Sequence, residues 1–271
     1  MASDPILMGI VNVTPDSFSD GGQFDSVNRA VAHGMALVEE GAHILDIGGE
    51  STRPGADEVS VAQEIDRTAP VIAALAERLK STPTRLSIDT RKPEVARAAA
   101  RAGAHIWNDV SALTFSPQSL AVAADLGLDV VLMHSQGDPK TMQQNPQYGD
   151  VVEEVYAFLK ARIDACVAMG ISREKLVADP GIGFGKTVPH NLKLLSKMKR
   201  FTALGVPLML GASRKSFIAK VDREEGADHR LGGSLTAAIT AFDGGATWFR
   251  VHDVAQTRQA LALFQAIKAA E

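Results

Sequence analysis

Cysteine is almost absent from this chain of 271 residues, which contains only Cys166. A disulfide framework and a cysteine-rich metal site are therefore excluded, and the place of Cys166 inside a predicted helix indicates a buried structural thiol. No apolar run is long enough to span a bilayer. Residues 1–5 lack a basic segment followed by an apolar one, so no secretory signal is predicted. We expect a soluble, cytoplasmic protein in a reducing compartment.

A strong charge of either sign is also lacking. The formal net charge is -4 and the sequence pI is about 6.0. This balance argues against a broad nucleic-acid or membrane surface, although a local cationic pocket remains compatible with it. Hydrophobic residues make up 45% of the chain, enough to bury a large core. We predict a single domain over residues 1–271, a length typical of an α/β barrel.

Short apolar segments alternate with longer stretches of helical periodicity. Helices are predicted over residues 95–102, 120–126, 151–169 and 191–198, and Ser60 with Gln63 has the spacing of a capping box. The predicted strands are residues 6–11, 44–47, 86–88, 105–107, 130–133, 176–178, 207–210 and 248–251. Eight repeats of strand, loop and helix predict an α/β fold of the (β/α)8 TIM-barrel type. An open doubly wound sheet is the alternative, but it usually has fewer strands and one marked phosphate-binding turn.

Polar residues follow almost every predicted strand. The apolar segment 44–47, for example, gives way to two glycines and then to Glu50 and Ser51. Such side chains do not continue a buried strand without cost, but they suit the rim of a pocket. Because the loops that follow barrel strands share one face, we expect these residues to converge there. They are Asn12, Thr52, Arg53, Asp89, Asn108, Asp179, Ser213, Arg214, Lys215, Ser216, Arg250 and His252.

Each of these residues has a simpler explanation when taken alone. Asp89 could cap a helix, Asn108 could complete a turn, and Lys215 could lie in solvent. His134 and His252 could be satisfied loop histidines. Helix capping alone, however, does not call for a different kind of hydrogen-bonding residue after almost every strand.

Two familiar site patterns can be set aside. Residues 181–187 resemble a phosphate-binding loop, but Pro180 stands where a Walker loop needs glycine. A dinucleotide fingerprint needs two residues between its last glycines, and here only Phe184 lies between them. The histidines lack the spacing of a zinc site. A hard cation held by one oxygen ligand and phosphates would leave little trace in a sequence.

Taken together, the polar segments resemble those of the dihydropteroate synthase family. The resemblance runs from about Ile6 to the last predicted helix, and one departure is Ser135, where the family commonly has methionine. The matching segments, in order, are residues 12–22, 46–55, 87–90, 108–110, 133–137, 179–186, 213–217 and 250–253.

The resemblance implies an activity as well as a fold. Members of the family condense 6-hydroxymethyl-7,8-dihydropterin diphosphate with 4-aminobenzoate to give dihydropteroate and diphosphate. It implies a transferase with Mg²⁺ as cofactor, sulfonamides as competitors and a homodimer. No kinase or aldolase domain is expected to be fused to it, as in bacterial members. No nucleic-acid or membrane partner is expected.

The resemblance also assigns roles to individual residues. The residues implied to contact the pterin are Asp89, Asn108, Asp179, Lys215 and Arg250. Those implied to hold the diphosphate are Thr52, Arg53, Arg250 and His252, with Asn12 helping to bind Mg²⁺. Those implied to surround aminobenzoate are Phe18, Pro54, Phe184, Ser213 and Ser216, where a helix is expected to begin. The implied catalytic set is Arg53, Asp89, Lys215, Arg250 and His252.

Two alternatives share parts of this pattern. A pterin-binding methyltransferase on the same barrel would keep Asp89, Asn108 and Asp179, but it would not be expected to keep residues 213–216 together with Arg250 and His252. A non-catalytic pterin-binding paralogue would keep all of them, so the sequence leaves that alternative open.

Overall fold

Eight parallel strands form the inner layer of the computed structural model, which describes residues 4–13, 23–51, 58–137 and 141–270. The strands are β1 Ile6–Asn12, β2 Ile44–Gly48, β3 Arg85–Asp89, β4 Ile106–Asp109, β5 Asp129–Met133, β6 Leu176–Asp179, β7 Met209–Leu210 and β8 Trp248–Val251. Their hydrogen-bonded order is β6-β5-β4-β3-β2-β1-β8-β7. A bridge between Ala178 and Leu208 joins β6 to β7. The sheet thereby closes into the predicted (β/α)8 barrel.

Helices follow the strands and cover the outside of the barrel. They are α1 Gln23–Glu39, α2 Val61–Leu79, α3 Pro93–Ala102, α4 Ser119–Leu126, α5 Val151–Ala168, α6 Val188–Ser196, α7 Ser216–Val221, α8 Leu231–Asp243 and α9 Val254–Ala269. The predicted capping box at the start of α2 is formed. Ser60 Oγ accepts the Gln63 N–H at 3.3 Å, and Gln63 Oε1 accepts the Ser60 N–H at 3.2 Å.

One predicted helix and one predicted strand in the C-terminal half of the chain differ from the structure. The helix predicted over residues 191–198 begins earlier, because Thr187 caps Val188–Ser196, and a 3₁₀ segment, Met198–Leu204, follows it. The strand predicted over residues 207–210 is reduced to Met209–Leu210. Pro207 has no N–H to donate to a strand ladder, which accounts for the later start.

The barrel has two separate apolar cores. One lies inside the barrel and consists of Met8, Ile44, Ile106, Val131, Val177, Met209 and Trp248. The other lies between strands and helices and includes Leu45, Leu86, Trp107, Val130 and Phe249. Since successive strand side chains point to opposite faces, these two sets alternate along each strand.

A polar layer lies directly above the inner apolar layer. Two residues beyond the inward-facing Ile44, Ile106, Val177 and Trp248 come Asp46, Asn108, Asp179 and Arg250, in that order. The strand register aligns Asp46 with Ser87 and Asp89 with Asn108, so β3 adds two more polar side chains on the same face. This layer lies at the carboxyl ends of the strands, where barrel enzymes bind their substrates.

Two further sequence-based expectations can be compared with the fold. Cys166 is a free, buried thiol within α5, as predicted, and burial raises its pKa to about 11. Among the described residues, no helix combines the length and the apolar character that crossing a membrane requires.

Candidate active site

Arg250 links three strands, β8, β2 and β3, across the mouth of the barrel. Its Nε donates to Asp46 Oδ2 at 2.6 Å and its Nη2 donates to Asp89 Oδ2 at 2.7 Å. Asn108 Nδ2 donates to the same Asp46 oxygen at 3.0 Å. The structure thus brings together three predicted site residues, from β3, β4 and β8. The Arg250 side chain is 22% exposed, so part of its guanidinium can meet a ligand in the mouth.

Asp179 lies across from Arg250, with Gly211 between them. Its Oδ1 accepts the Gly181 N–H at 2.7 Å. A methyl group added at Gly211 would lie 3.5 Å from Asp179 Oδ2 and 3.9 Å from Arg250 Cβ. The absence of a side chain at Gly211 therefore keeps open the space between a carboxylate and a guanidinium. Burial raises the pKa of Asp179, although Lys215 opposes the shift.

Lys215 reaches the same region from the start of α7. Its Nζ donates to the Ile182 carbonyl and lies 4.4 Å from the centre of the Phe184 ring. Burial lowers the pKa of Lys215 to about 8, and the Asp179 carboxylate partly offsets the shift. Ser216 is the first residue of α7, as the sequence led us to expect. Lys215, Phe184 and Asp179 therefore share one side of the mouth.

Ser213 and His252 form a hydrogen-bonded pair between the loops after β7 and β8. Ser213 Oγ accepts the His252 backbone N–H at 3.2 Å and lies 3.0 Å from His252 Nδ1. The serine hydroxyl has one proton, and the geometry lets it donate that proton to Nδ1.

Arg214 does not join this group, although the sequence predicted that it would converge with the others. Its Nε and Nη2 donate to Asp253 at 3.0 and 2.6 Å, and its Nη1 donates to Asp228 at 3.0 Å. Arg214 has a φ of 57°, which turns the chain between Ser213 and Lys215. Its contribution is to hold that loop.

Asn12 ends β1 next to the polar layer. A methyl group added at Gly48 would lie 3.6 Å from Asp89 Oδ2 and 3.9 Å from Asn12 Oδ1. Asn12 and Asp89 therefore flank the same small opening. The other predicted residues of the first two loops, Phe18, Thr52, Arg53 and Pro54, lie outside the described residues.

Comparisons with known proteins agree with this geometry. The family model for pterin binding enzymes matches residues 8–252. The dihydropteroate synthase of Escherichia coli K12 is 48% identical over 269 residues, which is 99% of this chain and 94% of that protein. The chain belongs to the dihydropteroate synthase family.

Two solved structures of that family are also similar. The Xanthomonas albilineans dihydropteroate synthase with 4-aminobenzoic acid has a TM-score of 0.91 and 50% identity, covering 98% of this chain and 94% of that one. The same enzyme in complex with 7,8-dihydropteroate has a TM-score of 0.88 and 47% identity, covering 98% and 95%. The family and the barrel predicted from the sequence are confirmed.

Sequence reasoning missed two members of the polar layer, Asp46 and Ser87. Both are completely buried. Asp46 lies inside an apolar segment, two residues after the inward-facing Ile44, and strand alternation could have placed its carboxylate inside the barrel. Such a residue is expected to be paired, and Arg250 and Asn108 are its partners.

The polar layer contains buried oxygens that are not satisfied. Asp46 Oδ1, Asp89 Oδ1 and Ser87 Oγ are buried and have no hydrogen-bond partner in the described part of the chain. Burial raises the pKa of Asp89 to about 7; Arg250 opposes this shift and Asp46 adds to it. Although burial opposes it, Asp46 and Asp89 together raise the pKa of Arg250. The layer therefore suits a ligand that brings donors or positive charge.

Lys186 holds the loop after β6 through hydrogen bonds. Its buried Nζ donates to the Phe184 carbonyl at 3.0 Å and to the His134 carbonyl at 3.3 Å, and it lies 3.0 Å from His134 Nδ1. Burial and the Lys186 charge lower the pKa of His134 to about 3. His134 is thus a buried residue that joins two loops, as its simpler explanation held.

Proposed function

We propose that this chain joins 6-hydroxymethyl-7,8-dihydropterin diphosphate to 4-aminobenzoate, giving 7,8-dihydropteroate and diphosphate. The observation that carries the proposal is the cup formed by Arg250, Asp89, Asn108, Asp179 and Lys215 at the carboxyl ends of the barrel strands. Membership of the dihydropteroate synthase family supports the same activity.

The pterin ring is assigned to the space between Asp179 and Arg250. A pterin has an amino-pyrimidinone edge whose donors match a carboxylate, which is the role of Asp179. Asn108 offers both a donor and an acceptor to the mixed part of that edge. Lys215 donates to a ring acceptor, and the planar guanidinium of Arg250 stacks against the ring. Because Gly211 has no side chain, a flat ligand has room there.

The diphosphate is assigned to the rim that Arg250 and His252 share. After its bonds to Asp46 and Asp89, the Arg250 guanidinium retains three of its five N–H groups. His252 adds its imidazole ring, and Thr52 and Arg53 are assigned to the same group. The Asn12 side-chain oxygen has the hard-ligand chemistry that Mg²⁺ needs, and Mg²⁺ is often bound by only one or two protein oxygens together with substrate phosphates. When bound, the ion neutralises charge on the leaving diphosphate.

Aminobenzoate is assigned to the neighbouring space beside Phe184. The Phe184 ring forms one apolar wall, and Phe18 and Pro54 are assigned to the others. Ser213 and Ser216 lie next to this space, and the first N–H groups of α7 favour the substrate carboxylate. Sulfonamides are expected to compete for the same place.

The reaction needs charge stabilisation more than it needs a strong base. The C–O bond to diphosphate breaks first, its electron pair leaves with the diphosphate, and the pterin ring delocalises the cation. The Asp89 carboxylate stabilises that cation. The aniline nitrogen is neutral near pH 7, forms the new C–N bond with its lone pair, and releases one proton to diphosphate or water. Catalysis rests on positioning and on fixed charge in a buried site.

A homodimer in the cytoplasm is the assembly and location we assign. Helix α9 supports the dimer, because Leu263 and Ile267 are 62% and 54% exposed on its outer face. Exposed apolar residues that recur on one helix are typical of a contact surface. Light scattering in solution distinguishes a dimer from a monomer.

The activity is tested by supplying both substrates directly. The protein is incubated with dihydropterin diphosphate, labelled aminobenzoate and Mg²⁺, and diphosphate and labelled product are measured together. Equal amounts of both products support the proposal. Tight pterin binding without diphosphate release would instead identify a non-catalytic pterin-binding protein. Methyl transfer from a pterin, with no incorporation of aminobenzoate, would identify a methyltransferase.

A further inference from the structure

Asp46 has no role in the function assigned above, yet it contacts two residues that do. A single oxygen, Oδ2, accepts from Arg250 Nε at 2.6 Å and from Asn108 Nδ2 at 3.0 Å. Asp46 is completely buried beneath both of them. The hydrogen bonds of Asp46 therefore connect it to a ligand through these two side chains.

The contact with Asp46 fixes the orientation of the Asn108 amide. An oxygen that already accepts from a guanidinium is an acceptor, so the Asn108 atom facing it must be the donor Nδ2. No other hydrogen bond of the Asn108 side chain occurs among the described residues. The carbonyl Oδ1, on the other arm of the planar amide, therefore faces away from Asp46 and is available to a ligand donor.

The same oxygen also holds the guanidinium plane of Arg250. Asp46 binds Nε, while Asp89 binds Nη2 at 2.7 Å. Two fixed points on a planar group define its rotation, and one point does not. Without Asp46, Arg250 would retain only Asp89 and could swing away from the mouth of the barrel.

Asp109 shows what a purely structural carboxylate looks like in this barrel. It is as completely buried as Asp46 and follows Asn108 on β4, facing outward. Both of its oxygens are satisfied: Oδ1 accepts from Ser111 N and Oγ at 2.7 and 2.6 Å, and Oδ2 accepts from Leu113 N at 2.9 Å. Asp46 differs, because its Oδ1 has no hydrogen-bond partner among the described residues. Its two donors, Arg250 and Asn108, have further polar atoms at the mouth of the barrel. This arrangement serves the neighbours of Asp46 more than the stability of the fold.

We propose that Asp46 is a positioning residue that sets the amide orientation of Asn108 and the plane of Arg250, and so fixes the donor–acceptor pattern presented to the pterin ring. This inference rests on the proposed function, because it takes the pterin as the ligand of these two residues. It assigns no direct ligand contact to Asp46.

A double-mutant cycle tests whether Asp46 acts through Asn108. The affinity for 6-hydroxymethylpterin is measured by calorimetry for the unchanged protein, Asp46→Ala, Asn108→Ala and the double variant. We expect Asp46→Ala to weaken binding about tenfold, the value of one or two hydrogen bonds. In the Asn108→Ala background the loss should be at least threefold smaller, because contacting residues couple. The same fold-loss in both backgrounds would overturn the proposal.

Two further variants separate positioning from a merely structural effect. Asp46→Asn keeps an acceptor oxygen and should restore affinity to within about threefold of the unchanged protein, whereas failure to restore it counts against the proposal. Asp109→Ala is the matched control. It should lower the melting temperature. Its effect on pterin affinity should be small and should be the same in the unchanged protein and in the Asn108→Ala background. If Asp46→Ala does not fold, Asp46→Ser takes its place in the cycle, because the shorter serine side chain also removes the carboxylate that reaches Arg250 and Asn108.

The unchanged protein provides a readout that needs no variant. In a neutron crystal structure with bound pterin, Asn108 Nδ2 should remain on Asp46 while Oδ1 accepts from the ligand; the opposite amide orientation overturns the proposal. Failure of the proposed function is distinguishable from failure of this inference. A protein that binds pterin but releases no diphosphate would refute the activity, while the cycle would still test Asp46.

Discussion

Arg250 Nη2 donates to Asp89 Oδ2 at 2.7 Å, joining the last strand of the barrel to the third across the mouth. The two residues are 161 positions apart in the chain, so only closure of the barrel brings them together. One of them is assigned to the leaving diphosphate and the other to the pterin cation. Charges of opposite sign are thus fixed in place before either substrate arrives, which is the arrangement that electrostatic catalysis requires.

Replacing Arg250 should have a large effect on catalysis. Arg250→Ala removes a guanidinium and leaves Asp46 and Asp89 as buried carboxylates without a counter-charge. We expect kcat/KM for dihydropterin diphosphate to fall on the order of 10²-fold or more. Arg250→Lys keeps the charge but not the planar fork, and we expect it to recover only part of the loss. Near-normal turnover of Arg250→Ala in a steady-state assay would contradict the assignment.

The pH dependence of kcat/KM should be bell-shaped. Asp89, whose pKa is raised to about 7 by burial, must be ionised to stabilise the pterin cation, so activity should fall as the pH drops below about 7. Lys215, whose pKa is lowered to about 8 by burial, must be protonated to donate, so activity should fall as the pH rises above about 8. A pH profile of kcat/KM for dihydropterin diphosphate measures both limbs.

Lys215→Arg is the matched variant for the alkaline limb. Arginine stays protonated throughout this range, so the variant should lose the alkaline limb and keep the acid one. An alkaline limb that persists unchanged in Lys215→Arg would show that another group titrates there.

Gly211→Ala should weaken pterin binding without disturbing the fold. The added methyl group would lie 3.5 Å from Asp179 Oδ2, an ordinary contact distance, but it would occupy the space assigned to the ring. We expect at least about a tenfold loss of pterin affinity, equivalent to about 1.4 kcal/mol, with little change in melting temperature. Calorimetric titration with 6-hydroxymethylpterin measures the loss.

Gly232→Ala is the control for that substitution. Gly232 lies in α8, and a methyl group there would have no neighbour within 4 Å. Pterin affinity should be unchanged in this variant, and helix propensity favours alanine. Equal affinities for the two alanine variants would mean that the ring does not lie beside Gly211.

Lys186→Met should destabilise the protein by removing the buried amine that joins the loops after β5 and β6. The variant leaves the Phe184 and His134 carbonyls without their buried donor. We expect the free energy of unfolding to fall by about 2–4 kcal/mol, because two buried carbonyl groups lose their hydrogen-bond donor. Urea denaturation measures the change. The exposed Lys199→Met is the control, and a comparable effect of both variants would contradict the role of Lys186.

The fold was predictable from the sequence because its signals are local. Each strand is a short apolar segment bounded by glycine or polar residues, and each helix has its own periodicity. The exceptions have local causes as well. Pro207 shortens β7 because it cannot donate to the ladder, and Thr187 starts α6 earlier than the apolar pattern indicated.

The site was predictable only where polar residues follow a strand. Asp89, Asn108, Asp179 and Arg250 stand at strand ends, and the barrel brings strand ends together. Asp46 was missed because it lies within an apolar segment, where pairing with Arg250, 204 positions away, is invisible to local patterns.

The sequence also did not reveal which side chains pair with each other by hydrogen bonds or ion pairs. Arg214 was predicted to converge with the site, but Asp253 binds it in a bidentate pair. Lys186 and His134, 52 residues apart, contact each other only because two loops of the barrel meet. Such choices depend on tertiary geometry rather than on residue type.

The most direct test of the account is a crystal structure of this protein with a dihydropterin diphosphate analogue. We predict that the ring lies between Asp179 and Arg250, with ring donors and acceptors within about 3.2 Å of the Asp179 and Asn108 side chains. A ring bound elsewhere, with Asp179 and Arg250 contacting only solvent, would contradict it.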